Sequence, residues 1–198
     1  MNHEAKRINA TVLMCDMRGF TALVDALDPV EAMTLATSVM SELGRVVEES
    51  GGVVDKFMGD GLLAHFGVEQ GESSHALLAC NCALRIKESE IRINAMRYSE
   101  SLPVISMGIG LCTGPLAVGM IMTKHKVELS IFGDTVNMAS RIENLTRLFQ
   151  VDILISSETA AQVEGHFELR AMPPAKLRGK LGEYVSHWLL PVNTPATS

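Results

Sequence analysis

No stretch of this 198-residue chain is apolar for long enough to suggest a membrane span, since a spanning helix needs roughly 20 such residues. The opening MNHEAKRINA also lacks the apolar core of a secretory signal. Both absences predict a cytoplasmic setting, for the chain alone or for a cytoplasmic piece of something longer. Basic excess is missing too: 17 Lys and Arg stand against 23 Asp and Glu, a net charge of −6. That balance argues against a nucleic-acid-binding face. It predicts that any polyanionic ligand is small and arrives with metal ions. There is no CxxC pair, because Cys80 and Cys82 are two apart and Cys15 and Cys112 stand alone in apolar segments. Buried free thiols are expected, not a redox or zinc motif. Internal repeats and low-complexity segments are also lacking. With 47% hydrophobic and 20% charged residues, the chain reads as one globular domain over residues 1–192, with a disordered tail at 193–198.

The elements follow from periodicity and turn residues. Residues 8–16 read as a buried strand that stops at a turn around Arg18-Gly19. Asp28-Pro29 signals a helix start. Val30, Met33, Ala36, Val39, Met40, Leu43 and Val47 then share one face, until Gly51-Gly52 ends the helix. Residues 53–57 and 62–66 read as strands joined by the hairpin turn Met58-Gly59-Asp60-Gly61. A long helix is expected over 73–97, with Ala76, Ala79, Ala83 and Ile86 inward. Residues 104–112 and 116–120 read as a strand pair around Thr113-Gly114-Pro115, and 127–132 as a further strand. Asp134 is expected to cap a helix that runs to about 149. A strand at 151–155, a short helix at 157–163 and edge strands at 168–171 and 184–190 complete the chain. The order is that of a split βαβ motif, a ferredoxin-like βαββαβ core with extra C-terminal strands. This is the α+β class, with helices packed on one face of a mainly antiparallel sheet.

Two acids stand at strand ends. Asp16 closes the first strand and Asp60 tips the hairpin. A split βαβ fold can set these ends side by side, and paired carboxylates suit Mg²⁺, which leaves room for substrate phosphates. The turn containing Gly19 offers backbone N–H groups to such phosphates. Taken singly, each acid reads equally as a turn or helix-capping residue. Asn137 and Arg141, at i, i+4 spacing, project from one helical face and read alone as an ordinary polar surface. Met138, Ile142 and Leu145 face the core.

The longer strings around these residues decide between the alternatives. VLMCDMRGFTAL from Val12, GGVVDKFMGDGLLAHFG from Gly51, MGIGLCTGPLAVG from Met107, IFGDTVNMASRIENL from Ile131 and LRGKLGEYVSHWLL from Leu177 resemble, in order and near spacing, the catalytic domain of the class III adenylate/guanylate cyclases. The resemblance covers about residues 8–190. It implies a phosphorus–oxygen lyase of signal transduction that makes 3′,5′-cyclic AMP and pyrophosphate from ATP. Asp16 and Asp60, with the backbone carbonyl of Met17, would bind two Mg²⁺ ions, for which Mn²⁺ would substitute. Phe20 and Thr21 would offer amides to the terminal phosphates, and Arg178 stands where the family often has a phosphate-binding Lys. Lys56 and Ser130 would read the purine ring. Asn137 would orient the ribose, and Arg141 would stabilise the α-phosphate. No His or Glu stands out as a dedicated base, so deprotonation falls to metal and solvent.

The base preference rests on Lys56. An ammonium has three donors and no acceptor, so it suits adenine N1 and leaves the N1–H of guanine unpaired. Ser130 replaces the family's more usual Asp or Thr, and its hydroxyl can also donate to guanine. The segment Met120–Glu128 has Met122 where relatives usually carry a second glycine, and Lys124, His125 and Lys126 make it basic. The resemblance further implies a homodimer with two shared sites, and a sensor or regulatory domain outside this chain. The competing readings are a guanylate cyclase, a silent cyclase-homology domain that binds nucleotide, and a structural dimerisation module.

Overall fold

The computed structural model describes residues 5–25, 27–68, 74–122 and 127–191. The expected tail at 193–198 and the basic residues Lys124, His125 and Lys126 lie outside the described residues. The chain folds as β1 (Lys6–Met17), α1 (Phe20–Val24), α2 (Pro29–Glu49), β2 (Val53–Phe57), β3 (Gly61–Phe66), α3 (His75–Ser99), β4 (Met107–Met122), β5 (Val127–Phe132), α4 (Asp134–Phe149), β6 (Ile153–Ser156), α5 (Ser157–Gln162), β7 (Leu169–Ala171), β8 (Ala175–Lys176), β9 (Glu183–Tyr184) and β10 (Ser186–Leu189). The main sheet runs β2-β3-β1-β4-β6-β10-β7, with β5 paired to β4, and β8-β9 form a separate ribbon. Among the described residues only the β4–β6 ladder is parallel. The first four strands have the order of a split βαβ motif.

Period-two alternation in β1 sends its residues to two cores. Leu13, Cys15 and Met17 join Leu43, Val47, Ala79, Ala83 and Ile86 of α2 and α3. Ala10 and Val12 instead join Met138, Ala139, Ile142 and Leu145 of α4. The helices therefore cover both faces, not one as the sequence pattern suggests. The run of buried residues from Ala10 to Leu13 in β1 is the local trace of this arrangement, since a strand covered on both faces shows little polar alternation. All four cysteines are free and buried.

Four other expectations change. The anticipated strand pair at 104–120 is one 16-residue strand, β4. Its second edge passes from β6, at residues 109–111, to β5, at residues 117–122, and Pro115 falls in the gap. The Pro115 carbonyl accepts from Thr135 Oγ1 at 2.7 Å and so faces away from β1. The missing N–H on the same side breaks no ladder bond. In α2, Asp28 caps as expected and forms a reciprocal capping box with Glu31, yet Val30 and Met33 are 72% and 68% exposed. The first turns overhang the sheet, and the buried face starts at Val39. Asp134 is not a cap: Gly133 holds that position, and Asp134 is the acid of the first turn, which favours the helix dipole. Finally, β10 lies inside the sheet between β6 and β7 and is not an edge.

Candidate functional site

Asp16 and Asp60 meet at one end of the sheet. β1 and β3 pair with Asp16 opposite Gly61, and the Met17 amide donates to the Asp60 carbonyl at 3.0 Å. Two glycines make the approach possible. Gly59 turns the hairpin at φ 73°, a conformation that side chains resist. A Cβ on Gly61 would lie 2.8 Å from the Cys15 carbonyl oxygen and 3.0 Å from Asp16 Oδ1. Burial, followed by the like charge of Asp60, raises the Asp16 carboxyl above its ordinary range, while Arg147 pulls it back. Arg147 Nη2 reaches Asp16 Oδ2 at 2.5 Å from the last turns of α4.

The donor set fits a small, hard divalent cation. It consists of two carboxylates with backbone carbonyls beside them. Among the described residues no group of three or more His, Cys, Asp or Glu closes a metal cage. Mg²⁺ commonly sits on one or two carboxylates and completes its shell with water and phosphate oxygens.

A third carboxylate lies beneath the pair. Glu143 of α4 is 2% exposed, and its Oε1 has no hydrogen-bond partner, nor have Thr146 Oγ1 and Arg18 Nε. All three converge on Gly108 of β4, where a Cβ would sit 2.5 Å from Glu143 Oε1, 2.6 Å from Thr146 Oγ1 and 3.5 Å from Arg18 Nε. Glu143 is pushed up to about 7, by burial first and then by Asp16 and Asp60, against Arg147 and Arg18. Arg18 itself is tied down by the Val151 carbonyl and by Asp152 at 3.6 Å. The motif strings do not single out Glu143 or Arg147. The available signal for Glu143 is a charge at a core-facing helical position, beside Ile142 and one turn after Ala139.

The remaining predicted residues lie elsewhere. Lys56 is exposed on β2, just after a bulge at Asp55, and its Nζ pairs with the largely buried Asp55 carboxylate at 3.1 Å. β2 touches β5 without pairing to it, so the elements that carry Lys56 and Ser130 meet. Ser130 is 2% exposed and stands opposite Gly119 in the ladder. Asn137 is exposed on α4. Arg141 is half-buried, 3.7 Å from Asp134, and Asp134 also binds Lys180. Arg141 and the exposed Arg178 line one cavity of about 740 Å³ between α4 and the 176–179 segment. Phe20 and Thr21 open α1 after Gly19, which has the left-handed conformation at φ 67°. The first amides of a helix lack intrahelical partners.

Along α4, Arg141 lies less than two turns from Arg147 and Asn137 almost three. Arg147, at the acid pair, is ten residues beyond Asn137, about 15 Å at 1.5 Å per residue. One copy therefore brings Asp16, Met17 and Asp60 together, while Arg141 and Arg178 line a separate cavity and Asn137 is exposed one turn before Arg141 on α4.

Comparison with known proteins adds the family. The profile of the "Adenylate and Guanylate cyclase catalytic domain" matches residues 3–191. An adenylate cyclase of Anabaena cylindrica is 32% identical over 177 residues, 86% of this chain and 34% of that protein. Adenylate cyclase 1 of Rhizobium meliloti is 28% identical over 176 residues, 89% of this chain and 26% of that protein. The chain thus spans about a third or less of these relatives. Among solved structures, the guanylyl cyclase Cya2 superposes with a TM-score of 0.87 at 27% identity, covering 98% of this chain and 97% of that one.

Proposed function

Because the chain belongs to the adenylate and guanylate cyclase catalytic-domain family, we propose that it is an adenylate cyclase. It would convert ATP to 3′,5′-cyclic AMP and pyrophosphate at sites shared between two copies. The observation that carries this reading is the apposition of Asp16 and Asp60 at one end of the sheet, with Asn137 near the start of α4 and Arg141 at its middle.

Asp16, Asp60 and the Met17 carbonyl would hold two Mg²⁺ ions, or Mn²⁺ in their place. When bound, such ions ease loss of the 3′-hydroxyl proton and neutralise charge on the departing pyrophosphate. The ribose 3′-oxygen attacks the α-phosphorus, the bond to the β-phosphate oxygen breaks, and the proton leaves to solvent. Asn137 orients the ribose for this approach. Arg141 faces the equatorial oxygens, where negative charge grows. The Phe20 and Thr21 amides and Arg178 hold the phosphate tail. Lys56, steadied by Asp55, donates to adenine N1, and the Ser130 hydroxyl accepts from N6.

The separation of about 15 Å along α4 favours sharing. The acid pair of one copy would face Lys56, Asn137 and Arg141 of the second. A guanylate cyclase is the second reading, supported by the Ser130 hydroxyl, which donates as readily as it accepts.

Purified protein offered ATP or GTP with Mg²⁺ or Mn²⁺ tests the assignment by its cyclic product. Cyclic AMP is expected from ATP, and no cyclic product from either nucleotide would sink the enzyme reading in favour of a silent homology domain. Asp16→Ala and Asp60→Ala should each abolish turnover. Lys56→Glu should move preference toward GTP, since an unpaired buried donor costs roughly 1–3 kcal/mol, or about ten- to hundredfold. An unchanged ATP preference in that variant would refute the role given to Lys56.

A further inference from the structure

Asp16 has a protein cation on the oxygen a metal would need. Arg147 Nη2 sits 2.5 Å from Asp16 Oδ2, and it comes from α4, 131 residues away in sequence. A divalent ion on Asp16 and a guanidinium on the same carboxylate compete for oxygen lone pairs and repel one another. The structure also shows where the guanidinium could go. Glu143, one turn earlier on α4, presents an Oε1 with no hydrogen-bond partner, and i, i+4 residues on a helix are within side-chain reach.

We propose that Arg147 is an internal counter-cation that holds Asp16 while the acid pair is free of metal. It exchanges from Asp16 toward Glu143 when a divalent ion binds. The strength of its grip sets the affinity of the pair for metal. This inference rests on the metal-binding role given to Asp16 and Asp60. Two apposed carboxylates repel each other, and in the metal-free state a guanidinium between sheet and helix offsets that repulsion. Any incoming ion is bound with the loss of this pair subtracted from its affinity.

The test titrates Mn²⁺ alone, with free ion followed by electron paramagnetic resonance, into wild type, Arg147→Gln and Asp16→Asn. Arg147→Gln is expected to bind Mn²⁺ about three- to tenfold more tightly, the size of a half-exposed ion pair released. In parallel, the ¹⁵N guanidinium resonance of Arg147, assigned by its loss in Arg147→Gln, should shift when Mg²⁺ is added to wild type. Unchanged affinity in Arg147→Gln, or a resonance unmoved by saturating Mg²⁺, overturns the exchange while leaving the metal reading intact. Binding that Asp16→Asn does not weaken removes the metal reading, and the inference with it. If Arg147→Gln does not fold, Arg147→Lys supplies the assignment and the wild-type resonance decides.

Discussion

Glu143 is a carboxyl held close to its titration point at neutral pH by burial and by the negative charge of Asp16 and Asp60. Its ordinary value is 4.5, and in the folded protein it lies at about 7. Between these values the native state keeps a proton that the unfolded chain has lost. Stability therefore falls as pH rises through that interval, and the loss is complete above the native value. Glu143→Gln removes this contribution. Metal-free wild type should lose roughly 1–3 kcal/mol relative to the variant between pH 5 and pH 8, read as thermal unfolding midpoints in chelator. Parallel pH profiles for the two proteins would contradict the assignment. At this scale the sequence exposes chemistry only where residues fall in dense strings. Asp16, Asp60, Lys56, Asn137 and Arg141 stand in such strings. Glu143 lies inside one of these strings and shows only as a charge at a core-facing helical position, while Arg147 meets Asp16 from 131 residues away, a contact that no spacing along the chain encodes.

The close seat of α4 on β4 depends on missing side chains. A Cβ on Gly110 would lie 2.3 Å from the Glu143 amide nitrogen and 2.4 Å from the Ala139 carbonyl oxygen. Both are helix backbone, so no rotamer change relieves the contact. Gly110→Ala should push α4 off the sheet, at a cost of about 3–5 kcal/mol. Gly119→Ala on the same strand meets, among the described residues, only Ala5, at 3.3 Å, and should cost far less. Comparable melting temperatures for the two variants would refute this account. The glycines of β4 also explain what the sequence conceals about this element. Gly108, Gly110 and Gly114 carry no hydrophobic signal, so the α4 face of the strand is hard to see from its pattern. Thr113-Gly114-Pro115 looks like a turn because its proline is tolerated only through a change of partner strand. By contrast, β1, α2, the β2–β3 hairpin and α3 were legible because each has a clear period or turn. The helix at Asp134–Phe149 was legible in its span, but the face of the sheet it covers was not, because both sheet faces of β1 are equally apolar.

For the molecule as a whole, the proposed function has each copy supply two half-sites that a two-fold pair would complete. An isologous interface makes both sites identical. Mixing inactive Asp16→Ala with inactive Arg141→Ala therefore yields mixed pairs in which one of two sites is intact. Activity should return to about a quarter of wild type on random reassortment. It should also fall with dilution below the dissociation constant. A mixture that stays inactive, or a specific activity that is flat on dilution through that constant, would place the whole site within one copy.

The helix that separates the half-sites has a further consequence. α4 is gripped at one end by β1 through Arg147 and Asp16, and along its length by the bare face of β4. It behaves as a rod of fixed length, about 24 Å for its 16 residues. A rod cannot be stretched to bring one site into register while the other is left alone. In the proposed pair, a change at one catalytic cleft that moves α4 would therefore be felt through the same rod at the other.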